Sequence, residues 1–127
     1  MKLEHIALNL PDPQAAAAWY AENLGLRIVK ANGSAPFEHF LADDGSSVLE
    51  FYNNPAAETP NYAAMNPFTL HLAFTTDDIK ATQERLLGAG AITPGDIVTT
   101  PAGDQIVFLR DPWGVALQLV SRRVPLL

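Results

Sequence analysis

The 127-residue sequence predicts an α+β fold in which two βαβββ modules follow one another. Three observations carry that expectation. Leu3-Glu4-His5-Ile6-Ala7-Leu8 matches Thr69-Leu70-His71-Leu72-Ala73-Phe74, and Phe40-Leu41-Ala42-Asp43 through Leu49-Glu50-Phe51-Tyr52 matches Phe108-Leu109-Arg110-Asp111 through Leu117-Gln118-Leu119-Val120, so the chain contains an internal repeat. The opening of the repeat alternates with the period of two that marks a strand. Each half also holds one helix-favouring run bounded by capping residues.

The elements follow in order. Residues 3–10 form the first strand, with Leu3, His5, Ala7 and Asn9 on one face and Glu4, Ile6, Leu8 and Leu10 on the other. Asp12-Pro13 suits an N-cap with proline in the first turn. The alanine-rich run to Leu24 is then helical, anchored by Trp19 and Tyr20 and stopped by Gly25 in a left-handed cap. Strands are expected near 26–30, 36–42 and 47–52, the last two joined by a turn at Asp43-Asp44-Gly45-Ser46 that pairs residue 42 with 47. Residues 53–67 hold three prolines and no periodicity, so they read as the linker between a first module of about 1–52 and a second of about 68–122. A strand over 68–75 comes next. Asp77 or Asp78 caps a helix through Leu87, ended by Gly88 and Gly90. Strands near 96–99, 104–110 and 115–121 complete the second module. Asp111-Pro112-Trp113-Gly114 between the last two has the preferences of a type I turn.

The length fits one compact domain whose halves are too small to bury a sheet alone. A content of 48% hydrophobic and 17% charged residues is that of a globular chain and excludes intrinsic disorder. The net charge of −6, with no basic patch, argues against nucleic acid or an anionic membrane as partner. Without cysteine there are no disulfides and no thiolate ligands, so any metal is held by nitrogen and oxygen. No signal-type or membrane-spanning apolar run is present, and the expected location is cytoplasmic.

Strand parity singles out His5, Glu50, His71 and Gln118. Their apolar neighbours face the helices, so these four side chains face the opposite side of the sheets. An unpartnered polar group buried there costs about 2–7 kcal/mol, and four in matching positions call for a common partner. One divalent cation satisfies imidazole, carboxylate and amide oxygen together. A single strand histidine is ordinarily a hydrogen-bonded core residue; its repetition is what favours the ligand reading. Gln118 is the weakest donor of the set and could instead only support a ligand. If residue 42 pairs with 47, His39 lies opposite Glu50, where it could orient that carboxylate, touch substrate or relay a proton; its ordinary reading is a strand residue at the rim. Arg110 is a candidate for an anionic substrate, against the simpler reading of a solvated pair with Asp111. Asn9, Tyr52 and Trp113 are candidate pocket walls.

Four segments together resemble the vicinal oxygen chelate superfamily, which includes glyoxalase I, extradiol dioxygenases, methylmalonyl-CoA epimerase, and fosfomycin and bleomycin resistance proteins. They are Leu3-Glu4-His5-Ile6-Ala7, Trp19-Tyr20 before Leu24-Gly25, Leu70-His71-Leu72-Ala73-Phe74, and Phe108-Leu109-Arg110-Asp111-Pro112-Trp113-Gly114. The resemblance covers nearly the whole chain and implies paired βαβββ modules that curl into half-barrels around one metal. By that match His5, Glu50, His71 and Gln118 fall on the ligand positions. The order is similar to bacterial-type glyoxalase I, except that Gln118 stands where that enzyme usually has glutamate. The resemblance thus implies lyase or isomerase chemistry by proton transfer on a metal-chelated small substrate, with Glu50 the remaining carboxylate to act as catalytic base. The metal is Zn, Ni, Co, Mn or Fe, and the expected assembly is a homodimer. The modules close within one chain or are traded between two. An iron-dependent dioxygenase is the alternative enzyme, weakened because its carboxylate would come from the last strand. A non-catalytic binder of the bleomycin-resistance type is the alternative without chemistry, weakened because such proteins generally lack the ligands.

Overall fold

The computed structural model describes residues 1–45 and 48–127. The strands are β1 (Ile6–Asn9), β2 (Arg27–Ala31), β3 (His39–Ala42), β4 (Val48–Tyr52), β5 (Leu72–Thr75), β6 (Val98–Thr99), β7 (Gln105–Arg110) and β8 (Ala116–Ser121). The helices are α1 (Pro13–Leu24) and α2 (Ile79–Gly88), and a short 3-10 turn spans Tyr62–Ala64. The fold is α+β, and its repeated unit is βαβββ. The chain divides into two compact units, Met1–Pro60 and Asn61–Leu127, and the division falls inside the segment expected to be a linker.

Each unit holds an open four-stranded mixed sheet, in the orders β1-β4-β3-β2 and β5-β8-β7-β6. In both, the first strand lies parallel to the last, because the intervening helix and hairpins return the chain to its starting edge. The helix ends follow their capping residues. The Asp12 carboxylate accepts from the backbone N–H of Ala15 at 3.0 Å, Asp78 accepts from that of Ala81 at 2.9 Å, and Gly25 takes φ +71° after α1.

In the first unit Leu8, Leu41 and Phe51 of the sheet and Ala16, Ala17 and Tyr20 of α1 are buried, with the Tyr20 and Phe51 rings meeting edge to face at 4.8 Å. Trp19 is only half-buried, so Tyr20 is the anchor of that helix. In the second unit Leu72, Val107, Leu109, Leu117 and Leu119 are buried together with Ile79 and Leu86 of α2. These residues fix the parity. Leu49 and Phe51 flank Glu50 and point to the helix side, and Leu117 and Leu119 do the same around Gln118.

Two expectations change. The β3–β4 register pairs Ala42 with Val48, not with residue 47; Ser46 of the expected turn and Ser47 of the expected strand lie outside the described residues. That shift of one sets Phe40 opposite Glu50 and His39 opposite Phe51, so His39 moves to the helix side. The first and fifth strands are also shorter than expected, which leaves His5 and His71 one residue ahead of β1 and β5. Among the described residues, no helix is long and apolar enough to cross a membrane.

Candidate functional site

Each unit carries the same small constellation on the sheet face away from its helix. In the first, Ala7 of β1, Glu50 of β4 and Phe40 of β3 are successive cross-strand partners, and His5 precedes Ala7 by two. In the second, Ala73, Gln118 and Phe108 repeat that row, and His71 precedes Ala73 by two. The His5 and Phe40 rings meet at 5.5 Å and 89°, and the His71 and Phe108 rings at 5.3 Å and 88°. The phenylalanines were not among the residues expected to build the site. The repeat does carry Phe40 onto Phe108, but an apolar strand residue is ordinarily core, and that habit hid the signal.

The two histidines are held differently. The Nδ1–H of His71 donates to the carbonyl of Pro67 at 2.8 Å; a carbonyl can only accept, so in the neutral ring Nε2 keeps its lone pair. His5 is flanked by carboxylates. Its Nδ1 is bonded by Glu4, and its Nε2 lies 3.3 Å from Oε2 of Glu50, whose side chain is 13% exposed. With Nδ1 protonated, a neutral His5 would set the Nε2 lone pair against a carboxylate oxygen. Protonation of the ring, or a cation shared by the two atoms, removes that repulsion. The hydrogen bond donated to Glu4 is the largest influence and, with the charges of Glu4 and Glu50, raises the pKa of His5 above the ordinary imidazole value, while burial opposes it by less than that hydrogen bond.

The separation also suits a shared ion. Two donors each about 2.1 Å from a metal and about 90–110° apart lie roughly 3.0–3.4 Å from each other. Imidazole and carboxylate are suitable donors for zinc and its first-row neighbours. No group of three or more His, Cys, Asp or Glu able to hold a metal occurs among the described residues, so neither constellation alone is a complete cage.

Other expected site residues have structural duties. Arg110 is not paired with Asp111 or turned to solvent. Its Nη1 donates to the carbonyls of Tyr62 at 2.9 Å and Gly114 at 3.0 Å, and Nη2 to that of Met65 at 2.7 Å. It ties the 3-10 turn to the β7–β8 turn. Asp111 is buried and accepts from the backbone N–H groups of Trp113 and Val115 at 2.9 and 2.8 Å, closing the Asp111–Gly114 turn. Gly114 takes φ +86°, and a Cβ there would stand 2.7 Å from the backbone nitrogen of Ala63.

Asn9 is likewise a clamp. Its amide donates to the carbonyls of Asn54 and Ala57 at 3.1 and 3.0 Å, and its oxygen accepts from the N–H of Asn54 at 2.9 Å. His39 is 6% exposed, and its Nδ1–H donates to the carbonyl of Phe37 at 2.7 Å. It therefore cannot orient Glu50 as expected. Tyr52 pairs with Asn9 and shares the face of Glu50, while Trp113 is half-buried in the turn. A cavity of about 610 Å³ beside Thr75, Asp77, Arg122 and the C-terminal residues contains none of the candidate residues.

The repeated constellation, the open sheets and the sequence together decide the family. The family model described as "Glyoxalase/Bleomycin resistance protein/Dioxygenase superfamily" matches residues 2–119. The chain belongs to this superfamily. Lactoylglutathione lyase of Haemophilus influenzae is 24% identical over 131 residues, covering 97% of this chain and 94% of its own length. The crystal structure of a glyoxalase family protein from Enterococcus faecalis is similar with a TM-score of 0.71 and 26% identity, covering 94% of this superfamily member and 97% of that chain. An antibiotic binding protein from a Streptomyces strain shares the fold with a TM-score of 0.65 and 20% identity, over 95% of each chain.

Proposed function

We propose that this superfamily member is a metal-dependent lyase or isomerase resembling glyoxalase I, with His5, Glu50, His71 and Gln118 as the ligands of one divalent ion. The observation that carries the reading is the 3.3 Å approach of His5 Nε2 to Glu50 Oε2, which fits two ligands of one cation; His71 and Gln118 occupy the equivalent positions of the second unit. The two donor pairs meet within one chain or across a homodimer. The bound ion supplies Lewis acidity toward adjacent oxygens of a small substrate.

The protein residues do the rest. Phe40 and Phe108 hold the imidazole planes edge to face. Pro67 fixes the tautomer of His71, and Glu4 does so for His5. Glu50 is the one carboxylate among the four donors, so it takes the proton from the carbon next to the polarised carbonyl and returns it to the neighbouring carbon. Gln118 offers an amide oxygen and takes no proton. The hemithioacetal of methylglyoxal and glutathione is the first substrate to test, consistent with the name of the Haemophilus influenzae relative.

The test is elemental analysis of the purified protein, followed by turnover of that hemithioacetal by the wild type and His71→Ala. About one ion per complete ligand set, with loss of both metal and turnover in the variant, is expected. A second reading has its own support: His5 lies between the carboxylates of Glu4 and Glu50, an arrangement that a protonated imidazole satisfies by itself. A non-catalytic small-molecule binder would contain no metal, and its melting temperature would not respond to transition metals or chelator.

A further inference from the structure

β2, an edge strand of the first unit's sheet, carries two basic residues, Arg27 and Lys30, three positions apart. In an unbroken strand that spacing sends two side chains to opposite faces of the sheet. Here the register slips: Arg27 and Ile28 pair with Ala42 and Leu41, whereas Lys30 and Ala31 pair with Phe40 and His39. Val29 is the extra residue of a β-bulge, and Arg27 and Lys30 therefore share one face. It is the face of the candidate site, because Phe40 pairs with both Lys30 and Glu50. The Lys30 ammonium stands 5.4 Å from the centre of the Phe40 ring, and the same ring meets that of His5 at 5.5 Å. Neither cation is neutralised: among the described residues the ion pairs are His5 with Glu4 and Glu50, and Arg122 with Asp104. Glu38, just before β3, accepts instead from the Asn32 amide at 3.1 Å.

We infer that Arg27 and Lys30 form a carboxylate-binding edge of the candidate site, and that the substrate carries an acid group beyond the oxygens that engage the His5–Glu50 side. The inference rests on the proposed function for the place of the reaction, but the pairing of the two cations does not. On a chain of net charge −6, two unpaired cations on one face mark where an anion is attracted, while Glu4 and Glu50 repel it nearby. A guanidinium grips a carboxylate through two parallel N–H bonds, and an ammonium adds a point charge beside it. The bulge interrupts the ladder and leaves Val29 half exposed, and bulges recur where a side chain has to be re-aimed. Because Lys30 and His5 both contact the Phe40 ring, a chain of a few carbons spans the two.

The experiment uses two 2-oxo acids of equal length, 2-oxoglutarate with a distal carboxylate and 2-oxopentanoate with a methyl group in its place. Each is titrated by calorimetry into the zinc-loaded wild type, Arg27→Met, Lys30→Met, the double variant and Lys30→Arg. The wild type is expected to bind 2-oxoglutarate about threefold more tightly or better, the scale of exposed ion pairs. Each single Met variant should lower that ratio, the double variant should abolish it, and Lys30→Arg should keep it. Independently, glutarate is titrated into the metal-free protein while the ε-methylene of Lys30 and the δ-methylene of Arg27 are followed by NMR.

Shifts at those methylenes support the carboxylate-binding edge even if the zinc-loaded protein takes up neither 2-oxo acid; that combination sinks the proposed function alone. Equal affinities for the two acids, together with unmoved methylenes, overturn the inference and leave the proposed function standing. A preference for 2-oxoglutarate that survives in the double variant would assign the distal carboxylate to other groups, and also overturn it.

Discussion

The two units share a frame and differ in what they hang on it. In both, a histidine just ahead of the first strand meets a phenylalanine of the third edge-on, with a polar residue of the last strand opposite that phenylalanine. In the first unit this face is charged: Glu4, His5 and Glu50 lie together, and Lys30 sits over the Phe40 ring at 5.4 Å. In the second the histidine is held by a neutral carbonyl, the polar residue is an amide, and Phe68 and Val98 extend the surface as hydrocarbon. The repeat has kept the backbone and ring geometry while the acid–base capacity has collected on one side. A sheet can be duplicated without its chemistry being duplicated.

The strongest way to break this comparison is to remove the charge from the first unit. Glu50→Gln makes its donor pair match His71 and Gln118. Turnover is expected to fall by about 10²–10⁴-fold, as for loss of a general base, with part of the metal retained. Steady-state kinetics beside metal analysis checks both, and an unchanged kcat would remove Glu50 from the chemistry. Next, His5→Ala and His71→Ala should each weaken metal binding by more than the ~10–100-fold typical of losing a ligand's hydrogen-bond partner, read by competition with a chromogenic chelator. If only one of them weakens it, the ion belongs to one unit and the two-sided reading is wrong. In the reverse direction, Gln118→Glu should tighten binding, since a carboxylate is the better donor for these ions.

A smaller effect separates the units by stability. Arg110 has no counterpart in the first unit, where the repeat places Ala42. Arg110→Ala removes a donor from three carbonyls, of which that of Tyr62 still accepts the Met65 N–H, and should cost roughly 2–4 kcal/mol, at about 1–3 kcal/mol for a buried group before water compensates part of it. The shift of a urea midpoint measures it; a loss below the error would mean the turn holds itself.

The smallest expected effect concerns protons. His5 gains carboxylate partners on folding, so its folded pKa lies above the unfolded value. Its contribution to stability is therefore fully present below the unfolded value and is lost as pH rises through the folded one. Metal runs the other way: a protonated imidazole cannot ligate, so loading falls as pH drops through the same range. Glu4→Gln should move the His5 midpoint downward in NMR titration. An unmoved midpoint would show that Glu50 alone sets it.

Much of this was legible in the chain. Asp12, Asp78 and Gly25 announced the helix ends because capping is local chemistry, and the repeat announced the order of strands. The register of β3 on β4 was not legible, since no residue type between Ala42 and Val48 fixes the pairing to a single residue; that slip was enough to send His39 to the wrong face. Asn9 looked like a site residue because it shares the face of His5, and Arg110 because it is a cation at the last hairpin. Their partners are carbonyls at Tyr62, Met65, Asn54 and Ala57, in a segment with no periodicity from which its path could be read. Phe40 and Phe108 were visible as a repeat and overlooked as chemistry. Whether His5, Glu50, His71 and Gln118 serve one ion is the question put to the metal experiments.

The parallel pairing of β1 with β4 sets an order of events during synthesis. His5 leaves the ribosome early, but the strand that carries Glu50 is the last of its module to emerge. The two donors become neighbours only after α1 and the intervening hairpin have docked, and β5 with β8 repeats the same delay. Until its first module is complete, a growing chain thus keeps His5 and Glu50 apart.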